Sequence, residues 1–143
     1  MMVQEDAIAT VGLTKHFDRH IAVNQLELQI PSGAVYGLIG PNGAGKTTLI
    51  RILMTLLLAD AGDARVMGYS VVEDYRKIRQ QVGYMPGRFS LYQDLSVQEN
   101  LQFFARIFGT TIDENYTLIK DIYQALEPFA GRRAGNLSGG MKQ

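Results

Sequence analysis

Gly40-Pro41-Asn42-Gly43-Ala44-Gly45-Lys46-Thr47-Thr48 is the stretch whose reading decides the fold. From Gly40 through four residues to Gly45-Lys46-Thr47 it matches the glycine-rich phosphate-binding loop in full. Val35-Tyr36-Gly37-Leu38-Ile39 precedes it, a short and mostly apolar run suited to a buried strand. Leu49 to Leu58 follows, a long apolar stretch that predicts a helix. A strand, a tight glycine loop and a helix are the setting this motif requires.

The residue types suit the chemistry. Gly40, Gly43 and Gly45 lack a Cβ and can take positive φ angles. With Pro41, Asn42 and Ala44 they form a loop able to curl its backbone N–H groups inward as an anion nest. A helix starting near Gly45 adds its partly positive N-terminus. Lys46 places a full charge on the β- and γ-phosphates of a nucleotide, and Thr47 offers a hydroxyl to Mg²⁺. Thr48 can donate to an α-phosphate oxygen. A plain turn needs one glycine and has no use for Lys-Thr-Thr at the helix start. Thr48, Arg51 and Thr55 make one narrow polar stripe on that helix, and nearly every other position is Leu, Ile or Met. The pattern predicts a helix buried on most sides.

Bulk properties narrow the function classes. A chain of 143 residues fits one domain with a sizeable core, and 46% hydrophobic with 20% charged residues is an ordinary globular composition. Fourteen basic and fourteen acidic residues cancel, so there is no broad electrostatic footprint for nucleic acid. Without cysteine there is no disulfide framework and no Cys-based metal site. The acidic start MMVQEDAIAT does not read as a signal peptide. No run reaches the roughly 18 apolar residues of a membrane span. Any membrane connection is therefore expected through a partner.

Along the chain, Ala7, Ala9, Val11 and Leu13 alternate weakly, and Leu26, Leu28 and Ile30 alternate cleanly with Gln25, Glu27 and Gln29. Two strands before the loop predict an antiparallel β-layer. Ala64 to Met67 predicts another strand, Glu73 to Gln80 a helix, and Val82 to Met85 a strand ended by Pro86-Gly87. Ser96 to Phe108 predicts an amphipathic helix, with Ser96 and Glu99 as a capping box and Val97, Leu101, Phe104 and Phe108 on one face. Phe103, Phe104 and Phe108 read as core. Tyr116, Ile119, Tyr123 and Leu126 predict a second helix, stopped by Pro128. Residues 1–86 thus read as an α/β part and residues 87–143 as a mostly helical one.

The last residues, Asn136-Leu137-Ser138-Gly139-Gly140-Met141-Lys142-Gln143, hold a second candidate nest. One chain rarely needs two γ-phosphate cradles, but two chains facing each other can share them. At these residues the sequence resembles the ATP-binding cassette (ABC) ATPases. GPNGAGKTT is similar to their Walker A loop and LSGGMKQ to their signature motif, in the right order and with a helical insert between. YMPGRFSLYQDLSVQENL most resembles the ATPase subunits of bacterial ABC-2-type and multidrug exporters. The resemblance covers the whole chain.

It implies an α/β fold: a P-loop NTPase core with an N-terminal antiparallel β-layer and a mostly helical subdomain. It implies ATP and Mg²⁺ as ligands and, in the complete protein, ATP hydrolysis powering export. Phe17 stands where the family stacks an aromatic on adenine, usually a tyrosine, and Val23 is expected beside the same ring. Leu137, Ser138, Gly139 and Gly140 would face ATP on the opposite protomer, so a head-to-tail dimer with a second nucleotide-binding domain is implied. The other partner implied is a transmembrane permease subunit, which would hold the chain on the cytoplasmic face. No nucleic acid is expected.

Two departures from the family pattern stand out. Gly87 occupies the place of a glutamine that contacts Mg²⁺ and water, with Gln93 the nearest glutamine downstream. The Walker B aspartate, catalytic glutamate and switch histidine follow the signature in the family, so no catalytic base is expected within these residues. Leu56-Leu57-Leu58-Ala59-Asp60 looks like a strand ending in an acid, but on this reading it continues the helix from Lys46. His16 and His20 read as solvated loop residues. The chain therefore reads as the N-terminal part of a cassette, inactive alone. A nucleotide-binding module without turnover, or a soluble ABC ATPase of translation or DNA repair, are the other readings.

Overall fold

A computed structural model describes residues 6–86 and 91–142. The chain divides into two compact units, Met1–Tyr84 and Met85–Gln143.

The first unit starts with a long hairpin, β1 (Asp6–Phe17) and β2 (His20–Pro31), with Phe17 paired to His20 across the turn. Asp18 in that turn is left-handed, φ 50°. Two shorter strands, β3 (Ala61–Val66) and β4 (Tyr69–Ser70), complete an antiparallel sheet of order β2-β1-β3-β4. The predicted β-layer is present, but its alternation is not the expected one. Register breaks between Val11 and Thr14 on the β3 side, where Gly12 has φ 58°. That bulge turns Val11 out to solvent and leaves Thr10, Leu13 and Thr14 buried. The Thr10 hydroxyl donates to Leu26 O (2.9 Å) and that of Thr14 to Gly12 O (3.0 Å), so neither is buried unpaired.

Helix α1 runs Lys46–Leu53 and α2 runs Tyr75–Gln81. Leu49, Ile52 and Leu53 of α1 and Ile78 of α2 join Leu13, Val23, Ala64, Val66 and Val71 in one core. Three expectations fail in this unit. First, α1 stops at Leu53, where Thr55 takes φ 59° and Arg79 donates to Thr55 Oγ1 and O (2.8 and 2.7 Å). Leu56 to Asp60 is therefore not helical. Second, α1 is buried on one side only: Ile50 is exposed, as are Leu56 and Leu58 beyond its end. Third, Val35–Ile39 and Val82–Met85 are not strands. A strand needs a neighbour to take its N–H and C=O groups, and no described segment pairs with either run.

The second unit holds α3 (Val97–Phe108), α4 (Ile112–Leu126), a 3-10 turn at Glu127–Phe129 containing Pro128, another at Ala134–Asn136, and α5 (Gly139–Lys142). The expected Ser96–Glu99 capping box is formed, and Thr111–Glu114 makes another. The small core is Val97, Ala134 and Leu137, with Leu91, Leu101, Phe129 and Met141 around it. Asn100 is buried among polar partners: Tyr92 N donates to its Oδ1 (2.8 Å), and its Nδ2 donates to Tyr92 O (3.0 Å) and Ser96 O (2.9 Å). It fastens the loop before α3 to that helix. Phe103 and Phe104 pack edge-to-face at 5.4 Å. Phe103 and Phe108, both expected in the core, are exposed, because the aromatic face lies outside the small Val97, Ala134 and Leu137 cluster.

Candidate functional site

The phosphate loop lies between β2 and α1. Gly43 and Gly45 adopt φ 84° and 82°, as the curl requires, whereas Gly40 has no positive φ. A Cβ on Gly45 would overlap Ala22 O of β2, so only glycine lets the loop lie this close to the sheet. Gly45 is also the left-handed residue from which α1 starts, with no side-chain hydrogen bond capping it and no acid in the first turn. The first N–H groups of any α-helix have no partner within the helix. In α3 and α4 a Ser or Thr with a Glu serves them. At α1 no side chain of that kind serves them, and the helix dipole favours an anion there. The Lys46 ammonium donates to Gly40 O (2.6 Å) and Pro41 O (2.7 Å), holding the loop closed behind it.

A cleft of about 320 Å³ opens on this loop, lined by Asn42 to Thr48 together with Phe17, His20 and Ala22. Phe17 is the last residue of β1 and 45% exposed, so its ring is open to a ligand on the same cleft as Lys46 and Thr47. The structure thus brings together Phe17 and residues 42–48. Val23 is placed otherwise: it is buried in the core beside Gly45 and lines a neighbouring cavity with Leu26, Leu38 and Leu49. His20, read as a solvated loop residue, starts β2 opposite Phe17 and lines the cleft. The signal for it was in the sequence, since a two-residue turn puts the residues on either side of it in register.

The cleft lining contains no carboxylate. Asp60 lies in the loop before β3 and is engaged by Lys15 Nζ (2.7 Å) and His16 N (2.6 Å). Lys15, then the His16 N–H, holds its carboxyl below the usual carboxylate range. Lys15 Nζ also approaches the Phe17 ring, 5.7 Å from the centroid.

In the second unit Leu137 is buried, while Ser138, Gly139 and Gly140 are exposed. Ser138 immediately precedes α5, its hydroxyl accepting from Met141 N (3.4 Å). Gly87, in the place of the family's glutamine, lies outside the described residues. Gln93 is described, and its carbonyl accepts from Gly135 N (2.9 Å).

Comparison with known proteins bears on the family and the fold. The chain is 44% identical over 144 residues to the probable multidrug ABC transporter ATP-binding protein YbhF of Escherichia coli, which covers 96% of this chain and 25% of that protein. It is 37% identical over 139 residues to the Nod factor export ATP-binding protein I of Mesorhizobium japonicum, covering 96% of this chain and 41% of that one. The chain thus spans less than half the length of these relatives. Among solved structures, an ATP-binding subunit of an ABC transporter superposes with a TM-score of 0.79 at 25% identity, covering 95% of this chain and 57% of that one. The ADP conformation of another ATP-binding cassette, at 22% identity, shares the fold with a TM-score of 0.71, over 96% of this chain and 61% of that one. A sequence model described as ABC transporter matches residues 23–143, most of the chain, and the chain belongs to that family.

Proposed function

We propose that residues 1–143 bind ATP as part of the ATP-binding subunit of a bacterial export transporter. The observation that carries this is the cleft itself, which an uncapped helix N-terminus, Lys46, Thr47 and an open aromatic ring line together. Residues 40–48 take the phosphates. The N–H groups at the start of α1 donate to phosphate oxygens, and the Lys46 ammonium turns from the Gly40 and Pro41 carbonyls to the β- and γ-phosphates. Thr48 donates to an α-phosphate oxygen. Phe17 offers its face to adenine, and Val23 supports the strand beneath the loop. Thr47 presents its hydroxyl to Mg²⁺, which would neutralise charge between the β- and γ-oxygens.

In the full-length protein this binding serves hydrolysis and export. Leu137 anchors the signature in its small core, so that Ser138, Gly139 and Gly140 face the nucleotide of a second domain in a head-to-tail dimer. A transmembrane permease subunit is the other partner, and it places the domain on the cytoplasmic face of the membrane. No helix among the described residues is long and apolar enough to cross a membrane. The relatives named for multidrug and Nod factor export favour this over a role in translation or DNA repair.

A second reading concerns residues 1–143 alone: they bind nucleotide without turning it over. The carboxylate-free cleft supports it. Titration with fluorescent ATP tests the binding. A charge-assisted contact is worth about 1.5–3 kcal/mol, so Lys46→Ala is expected to weaken ATP about ten- to hundredfold. Equal affinity in the two proteins would overturn the phosphate-loop assignment.

A further inference from the structure

The ladder between β1 and β3 ends at Thr14, which pairs with Ala61, while Asp60 N donates to Thr14 O (2.9 Å). β1 continues for three more residues to Phe17, paired on one side only, to β2. On the open side the Asp60 side chain takes over. Its Oδ2 accepts from His16 N at 2.6 Å, where a neighbouring strand would have offered a carbonyl. Its Oδ1 accepts from Lys15 Nζ at 2.7 Å. The carboxylate therefore extends the sheet by one rung from a turn 44 residues away. The β1–β2 register shifts between Lys15 and His16, and the held ammonium lies over the Phe17 ring, 5.7 Å from its centroid. Phe17 itself is half exposed, so core packing does not fix its ring.

We propose that Asp60 is a positioning residue for nucleobase binding: through the Lys15 ammonium and the His16 N–H it fixes the end of β1 and the Phe17 ring on which the base stacks. This rests on the reading of Phe17 as the stacking residue. Asp60 touches neither base nor phosphate in this scheme. Its loss is felt where the base is held and not where the phosphates are. A hairpin tip paired on one side frays more readily than one paired on both, and a stacking platform that moves binds less tightly.

The test is competition against a fluorescent nucleotide on the full chain, with ATP, ADP and inorganic tripolyphosphate as competitors. Asp60→Ala is expected to weaken ATP and ADP alike by about two- to tenfold, the scale of a cation–π contact and a stacking platform. Tripolyphosphate, which has no base, should bind no more weakly. In a Phe17→Ala background Asp60→Ala should cost nothing further, because two residues acting through one contact are not additive. Asp60→Asn, which keeps an acceptor for His16 N–H, should recover part of the loss. Lys15→Met, which keeps the stem without the charge, should reproduce part of it. These two variants carry the test if Asp60→Ala does not fold, and ATP affinity unchanged in both would overturn the proposal. If Phe17→Ala weakens ATP and the Asp60 variants do not, the clamp is refuted and Phe17 stands. If Phe17→Ala changes nothing, both fall. An equal loss of tripolyphosphate would show Asp60 supporting the whole fold, and would also overturn the proposal.

Discussion

A methyl group on Gly45 would overlap Ala22 O, and φ there is 82°, so Gly45→Ala meets two obstacles at once. The left-handed conformation alone costs a residue with a Cβ about 1–2 kcal/mol. The overlap with backbone adds to that, because a strand cannot step aside as a side-chain tip can. Gly40 offers the contrast: its φ is not positive, and a Cβ there would lie 3.6 Å from the Ala44 Cβ, an ordinary contact. Gly45→Ala should lower the urea midpoint and abolish ATP binding, whereas Gly40→Ala should leave the midpoint nearly unchanged. Equal loss in both would show that sequence membership in the motif matters and close approach to β2 does not. The same comparison shows what one residue type hides in a sequence. Three glycines of the loop look alike in the string, and only the fold separates two that need their conformation from one that does not.

Among the elements, α3 and α4 differ from α1 in how they begin. Glu99 is held below the ordinary value of 4.5 by the Ser96 N–H and then its hydroxyl, and Glu114 likewise by the Thr110 hydroxyl and the Thr111 N–H. A carboxyl with a lowered folded pKa stabilises fully above its unfolded pKa, and that help fades as pH falls through the folded value. Helix content followed by far-UV circular dichroism should therefore hold above the ordinary glutamate range and decline below it. In a Glu99→Gln, Glu114→Gln double variant, that acid-dependent part of the decline should shrink; an identical acid profile would refute it. The Ser96–Glu99 box was legible because the capping pattern is local, and Thr111-Ile112-Asp113-Glu114 carried the same signal unread. The β-layer and both long helices of the second unit were legible for the same reason. The clamp of Asp60 on β1 was not, since its partners are 44 and 45 residues away. Nor was the end of α1 at Leu53, for Leu56-Leu57-Leu58 continues an apolar run that sequence periodicity cannot divide. Val35–Ile39 reads as a strand by composition, yet a strand exists only with a partner.

On the scale of the molecule, the cleft lined by Phe17, His20, Ala22 and Asn42 to Thr48 contains no carboxylate. Hydrolysis needs a group to orient or deprotonate the attacking water. Asp60 and Glu99, the carboxylates that come into question, are both tied in hydrogen bonds that lower their pKa, which makes them poor bases. Steady phosphate release by the purified chain should match that of its Lys46→Ala variant; multiple turnovers lost in the variant would place a base within these residues. The open start of α1 has a further consequence. A helix of eight residues with no residue of its own to complete its first turn is marginal by itself. On the proposed nucleotide binding, the triphosphate would act as a missing piece of the polypeptide, and occupancy and folding would become one equilibrium. At a hundredfold excess over its dissociation constant a ligand adds about 2.7 kcal/mol to the native state. Nucleotide concentration would then set how much of the chain persists as well as how much is loaded.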